Sequence, residues 1–365
     1  MRILGIETSC DETGAAIVED GTKVLANIVA SSQELHIKTG GIIPEVAARE
    51  QIKCIIPVIE EALQNLHLEG VDKRHLPGGR MDSWKVDRFI DAIAVTVGPG
   101  LIGSLLVGVE TAKTLASIWG KPIIPVNHLI SHIYANWLGP KPYTLNPKPS
   151  FPAIVLIASG GHTDLLLMKG HGKLRRLGGT RDDAAGECFD KCARILGLSF
   201  PGGPAIAAEA TKLKVKSEKL KVKLPRPMIE SDNFDFSFSG LKTALLREVN
   251  QLKGVQQFNN LTVQQLSSSV QEAITDVLVE KTIRAAQKYQ VKSILISGGV
   301  AANDVLREKF RVQSSEFRVN FFAPAKNLCT DNAAMVAAAA FFNYSPKPWP
   351  KIQAHPELFF TNLRG

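Results

Sequence analysis

One pattern occurs twice in this chain, half a chain apart, and that repetition limits the fold more than any other feature. Residues 3–18 pass from the apolar ILGIE through the polar TSCDET into GAAIV, and residues 153–170 pass from AIVLIA through SGGH into TDLLLMKG. Apolar runs this short, separated by a small polar turn, read as buried strands folded back on each other. A supersecondary unit met twice predicts two related halves. A length of 365 residues allows each half a core of its own.

The segments between the repeats read as alternating helices and strands. KVLANIVA adds a third strand to the first unit. A helical pattern then starts at Pro44, a residue suited to the first helical turn, and runs to about Leu66 with Val46, Ile52, Ile55, Ile59 and Leu63 near helical spacing. Residues 69–88 are charged and turn-rich and read as a surface insertion. Next come the strand DAIAVTV, a helix from GPGLIGS to Trp119, the strand KPIIPVN and the helical HLISHIYANW. A Pro-rich stretch over 139–152 reads as a crossing between domains, because repeated proline suits neither a helix interior nor a central strand. The second half offers a helix near AAGECFDKCARILG, a lysine-rich segment over 211–226, a long helix after Leu261, the strand SILISGG and a last helix from about Asn332. The Pro-containing tail after Tyr344 reads as irregular. The predicted domains are therefore 1–138, 139–345 and a tail over 346–365, in an α/β architecture with meander strands.

A formal net charge of +8 favours a polyanionic partner, and the six lysines and one arginine against one glutamate within 211–226 concentrate that charge. A lysine-protected strand edge explains the same segment without RNA. The five cysteines are scattered and odd in number, which fits a reducing compartment. Cys188 and Cys192 can share a helical face as buried free thiols. No apolar run is long enough to span a bilayer, so no membrane partner is expected.

Several residues carry chemistry. His128 and His132 stand at i and i+4, on one helical face, where both can ligate one cation; ordinary polar contacts are the plainer alternative. Asp331 precedes an Ala-rich helical run and serves either as a helix cap or as a third ligand. Two histidines and a carboxylate leave coordination positions open, which suits Fe2+ and tolerates Zn2+. Glycine turns after strands at 98–100, 159–161 and 298–299 can aim backbone N–H groups at a phosphate, although none is a Walker or GxGxxG motif. Asp182, Asp183 and Glu187 crowd the start of a helix, where carboxylates suit the dipole. Asp190, one turn further on, is a suitable acceptor for substrate hydroxyls.

IETSCDET, GGIIPEVAAREQ, GPGLIGSLLVG, NHLISH, ASGGHT, DDAAGECFDK, PGGP, PRPM, FDFSFSGLKTA, SGGVAAN and CTDNAAM follow one another in order between residues 6 and 335. Together they resemble the TsaD family. The resemblance implies a duplicated actin-like, ribonuclease H-like fold of two domains with a central nucleotide and metal cleft. It implies transfer of threonylcarbamoyl from threonylcarbamoyl-AMP to N6 of adenosine 37 in tRNAs reading codons that begin with A, with release of AMP.

By position in those motifs, His128, His132 and Asp331 match the metal ligands for one divalent ion, iron first and zinc second. Ile157, Ala158, Ser159, Gly160, Gly161, Asp190, Gly203 and Asn303 match substrate-binding positions. The implied partners are tRNA, a paralogous actin-like subunit (TsaB) and a small ATPase (TsaE), in a bacterial cytoplasm. Ala207 stands where some members carry an Asp that contacts ribose. Two alternatives are an actin-like ATP-binding scaffold and a metalloprotease. The latter is disfavoured because Leu129, Ile130 and Ser131 provide no acid between the histidines.

Overall fold

The computed structural model describes residues 1–39, 41–66, 89–139, 148–213 and 223–360. The expected insertion over 69–88, the middle of the Pro-rich crossing and the centre of the lysine-rich segment lie outside the described residues.

β1 (Arg2–Glu7), β2 (Glu12–Glu19) and β3 (Lys23–Ser31) form an antiparallel meander, with Ile3 opposite Val18 and Gly5 opposite Ala16. After α1 (Gln33–Thr39) and α2 (Pro44–Gln64), β4 (Ala92–Gly98) pairs parallel to β1. α3 (Ile102–Trp119) then returns the chain to β5 (Ile123–Asn127), parallel to β4, and α4 (His128–Tyr134) follows directly. The sheet order is β3-β2-β1-β4-β5. Ile55, Ile59 and Leu63 of α2 are buried, as their spacing predicts, whereas Ile52 is 64% exposed.

The second half repeats this order. β6 (Ala153–Ala158), β7 (Thr163–Gly170) and β8 (Lys173–Gly179) form the meander, and β9 (Ser293–Ser297) pairs parallel to β6. Between β8 and β9 lie α5 (Ala185–Leu196), α6 (Gly202–Thr211), α7 (Ser239–Gly254) and α8 (Asn260–Lys288); after β9 come α9 (Asp304–Glu316) and β10 (Asn320–Phe322), the latter parallel to β9. Read from its far edge, the sheet runs β8-β7-β6-β9-β10. Strand for strand this is the first sheet again, so the chain is a duplicated actin-like α/β fold. α8 is long because a capping box of Asn259 and Thr262 starts it and buried residues recur along its length, from Leu266 to Ala286. Phe189, Ala193 and Leu196 of α5 are buried as predicted, and the Cys188 and Cys192 sulfurs lie 3.9 Å apart as free thiols. Asp182 does not serve α5. Its carboxylate accepts from the backbone N–H groups of Phe238 and Ser239 and from the hydroxyls of Ser237 and Ser239, which caps α7.

The last helix departs from the predicted boundary. α10 (Ala333–Phe342), placed by sequence in a domain over 139–345, belongs to the first compact unit, residues 1–148 with 330–365; the second unit is Pro149–Cys329. Residues 333–340 of α10 are all buried, which requires apolar cover on every side. β1 and β2 admit the helix backbone through Gly5 and Gly14: a Cβ on Gly5 would stand 2.3 Å from the Ala333 carbonyl oxygen. The described part of the tail is also tied to this unit, through Lys347 N–H to Ile123 O (2.9 Å) and His355 N–H to Val97 O (2.6 Å). Among the described residues no helix is long and apolar enough to cross a membrane.

Candidate metal centre

Each of the three expected ligands is set in place by an asparagine cap. Asn127 ends β5 and accepts from Ile130 N–H (3.1 Å), so α4 begins at His128 and presents His132 one turn later. Leu129 and Ile133, fully buried, hold the opposite face of that short helix. Asn332 accepts from Met335 N–H (3.1 Å) and starts α10, leaving Asp331 just ahead of the helix. His132 Nε2 lies 3.1 Å and His128 Nε2 3.6 Å from the same Asp331 oxygen, and the three ligand atoms fall within 4.8 Å of one another. Two donors on one ion at bonds of about 2.1 Å stand about 3–4 Å apart, so the group fits a divalent metal. His132 Nδ1 is buried and has no hydrogen-bond partner among the described residues.

Behind His128 lies Glu7, a residue that no spacing motif in the sequence marks. Glu7 ends β1, is fully buried, and places Oε2 3.2 Å from His128 Nδ1. The same oxygen accepts from Thr96 Oγ1 (2.6 Å), while Oε1 accepts from Ser9 N–H (2.7 Å); Ser9 Oγ also lies 3.2 Å from His128 Nδ1. Burial alone would raise the Glu7 carboxyl, but the charge and hydrogen bond of His128 bring it below the usual carboxylate range. Burial likewise opposes charge on His128, yet Asp331 and Glu7 push it up to about 9. Nearby, burial and then the charges of Asp331 and Asp11 raise Glu12 to about 10. These crowded carboxylates favour a cation at the ligand group. The turn over residues 8–12 is held by Gln51, whose Nε2 donates to the carbonyls of Cys10 (3.1 Å) and Glu12 (2.9 Å).

A carboxylate on Nδ1 keeps the proton there and leaves Nε2 its lone pair, the arrangement in which histidine binds metal. Glu7→Gln is therefore expected to weaken metal affinity about 10–100-fold. Competition titration against a chelator checks this, and an unchanged affinity would contradict the assignment. The sequence signal for Glu7 was present but slight: a carboxylate ending an otherwise apolar strand.

The other expected residues gather within the second unit. Ser159-Gly160-Gly161-His162 closes the β6–β7 hairpin through Ser159 N–H to His162 O (2.8 Å), and a Cβ on Gly160 or Gly161 would meet nothing within 4 Å. The turn at 298–299 packs beside it, since a Cβ on Gly298 would stand 2.5 Å from Ala158 O. The start of α5 joins them through Gly186 N–H to Ser159 O (3.1 Å). Ile157 and Ala158 lie in β6 with buried side chains. Asp190, one turn along α5 from Gly186, accepts from Gly202 N–H (2.6 Å) at the start of α6, beside Gly203, and burial raises its carboxyl. Asn303 caps α9 by accepting from Leu306 N–H (3.0 Å) and donates to Gln271 Oε1 (2.7 Å). The glycine turn at 98–100 offers no anion cradle of the expected kind. A Cβ on Gly98 would stand 1.9 Å from His355 O, and Gly100 N–H already donates to Pro356 O (3.2 Å).

The family model for TsaD, tRNA N6-adenosine threonylcarbamoyltransferase, matches residues 23–74 and 82–338. A protein of that name from Thermomicrobium roseum is 47% identical over 359 residues, covering 94% of this chain and 92% of its own. Another from Syntrophomonas wolfei is 47% identical over 358 residues, covering 98% and 97%. Among solved structures, full-length HypF in its phosphate- and nucleotide-bound form aligns with a TM-score of 0.53 at 13% identity, covering 94% of this chain and 46% of that one, a likeness of fold alone. With a match that spans both halves of the duplicated fold, the chain belongs to the TsaD family of tRNA N6-adenosine threonylcarbamoyltransferases.

Proposed function

We propose that the chain transfers the threonylcarbamoyl group from threonylcarbamoyl-AMP to N6 of adenosine 37 in tRNAs reading codons that begin with A, releasing AMP. The observation that carries this reading is the convergence of His128, His132 and Asp331 in a chain that matches the family from residue 23 to 338. In the reaction the adenine amine attacks the carbamoyl carbon, the N6–C bond forms, the C–O bond to the AMP phosphate breaks and N6 loses a proton. The amine is a weak nucleophile and the mixed anhydride a strong electrophile, so orientation and charge stabilisation dominate.

A divalent metal held by His128, His132 and Asp331, Fe2+ or Zn2+ by its donor set, supplies Lewis-acid stabilisation and a template when bound. Glu7 keeps His128 in the ligating tautomer. Ser159, Gly160 and Gly161 would offer backbone N–H groups and side-chain-free space to the adenylate phosphate. Asp190, steadied by Gly202, would accept from a substrate hydroxyl beside Gly203, and Asn303 would position the adenylate from the start of α9.

Partners follow from an apolar face. Ile52 and Ile56 of α2, with Ile102 and Leu106 of α3, are all exposed, and a Cβ on Gly103 of α3 would stand 3.2 Å from the Ala48 Cβ of α2. Two helices that approach this closely and leave isoleucines outward support docking of a helical surface, such as the paralogous actin-like subunit, with the small ATPase as a further component. A tRNA substrate supports a cytoplasmic setting. The reading is tested by adding unmodified tRNA to protein, partners and threonylcarbamoyl-AMP and following AMP. Release that depends on tRNA agrees with it; ATP turnover with no tRNA-dependent AMP release would favour a nucleotide-responsive scaffold instead.

A further inference from the structure

In the second unit two adjoining cavities, one along α9 and β10 and one at the C-terminal end of α8, take no part in the chemistry above. One, of 580 Å³, is lined by Arg307, Arg311 and Arg318 along α9 and beside β10, with no carboxylate in its wall. The other, of 370 Å³, is lined by Ile283, Val291 and Phe317 together with the amides Gln287 and Gln290. Arg318 and Val319 border both, so the cationic and apolar spaces are neighbours.

The cationic groups are differently held. Arg307 is fixed by donation to Ala301 O (2.6 Å), Pro324 O (2.6 Å) and Cys329 Sγ (3.1 Å). Arg311 pairs with Glu308 one turn away. Arg318 has no ion-pair partner among the described residues, and Phe317 beside it is 46% exposed. Both helices end in the same way. Gln290 (φ 47°) and Arg318 (φ 55°) take the left-handed position that glycine favours, and Val291 and Val319 N–H groups close the helices onto Ala286 and Ser314 carbonyls. A cation at the C-terminal end of α9 compensates the helix dipole, but that does not explain Arg311, in the middle of the same helix.

Guanidiniums beside an exposed aromatic ring, an apolar recess and two amides match the alternation of phosphate and base in single-stranded RNA. Such strands are held by backbone charge and by base stacking, with amides reading base edges. We propose that this groove binds a single-stranded segment of the tRNA substrate, with backbone phosphates on Arg311 and Arg318 and one base against Phe317. The proposal rests on tRNA being the substrate, as proposed above.

The test measures binding of unmodified tRNA to the full chain across a salt series, without threonylcarbamoyl-AMP, beside thermal melting of each variant. Arg311→Glu with Arg318→Glu is expected to weaken binding at least about tenfold and to lower the slope of log affinity against log salt by about 2, one for each lost phosphate contact. Phe317→Ala is expected to weaken it about tenfold with the slope kept. Wild-type affinity and slope in the doubly substituted chain would overturn the proposal. So would loss of AMP binding in that chain while tRNA binding stays intact, which would assign the groove to a free nucleotide. Binding is scored apart from turnover: a chain that binds tRNA through the groove but makes no modified nucleoside counts against the transfer reaction, not the groove.

Discussion

His128→Ala is expected to abolish metal binding at the proposed site and to slow threonylcarbamoyl transfer by about 10²–10³-fold, the rate equivalent of losing several kcal/mol of charge stabilisation. The size of the effect follows from the site's construction. His128 supplies one of three converging donors, and Glu7, Thr96 and Ser9 are arranged behind it. Removing the ring leaves the fully buried Glu7 carboxylate without its hydrogen-bond partner at Nδ1, so loss of fold must be told apart from loss of metal. His132→Ala separates them, because its ring has no contact with Glu7 in the hydrogen-bond network and should lose metal with less effect on folding. Metal content by elemental mass spectrometry, read beside the rate, checks both variants and identifies the ion. Either variant retaining full metal and full rate would contradict the ligand assignment.

Gly5→Val is expected to destabilise the first unit by about 3 kcal/mol, at the upper end of ordinary overpacking costs. The new Cβ would stand 2.3 Å from Ala333 O and 3.0 Å from Ala337 N, and backbone atoms inside a helix cannot rotate away as a side-chain tip can. Relief requires α10 to lift from β1, and Asp331 lies two residues before that helix. The variant therefore loses metal affinity as well as stability. Urea unfolding followed by the fluorescence of Trp119 and Trp137, both in this unit, reports the first effect, and chelator competition reports the second. A midpoint unchanged from the parent chain would mean that α10 does not rest on Gly5 as described.

Much of this arrangement was legible in the sequence, for identifiable reasons. The two meanders could be read because their inner strands are buried on both faces and so appear as unbroken apolar runs. β8, with the sequence KLRRLGG and a largely exposed pattern, lacks that signal, as does the three-residue edge strand β10. α9 was missed because its surface is mostly polar, and only Leu306, Phe310 and Ser314 face inward. The Ala-rich run marks α10 as a helix but not the sheet it packs on; that depends on Gly5 and Gly14, two small gaps visible only once the strands pair.

The site shows the same division. HxxxH spacing placed both imidazoles on one face of a helix, and Asp331 could join them because both segments start from asparagine caps. Spacing held no information on Glu7, since its contact with His128 spans 121 residues. For α2 the helical spacing of apolar positions predicts one buried face. Ile55 and Ile59 turn inward while Ile52 and Ile56 turn out, which distinguishes a core from a docking surface. The glycines at 98–100 and at 159–161 look alike in sequence. In the fold the former are filled by the chain's own tail and by Ser9, and the latter are open.

The purified chain is incubated with its metal, threonylcarbamoyl-AMP, unmodified tRNA and the partner subunits, present and absent in turn, and the tRNA is digested for nucleoside mass spectrometry. The expected result is N6-threonylcarbamoyladenosine at position 37, formed with AMP and lost with His128→Ala. Unmodified adenosine under every combination of partners, with metal and nucleotide both bound, would contradict it.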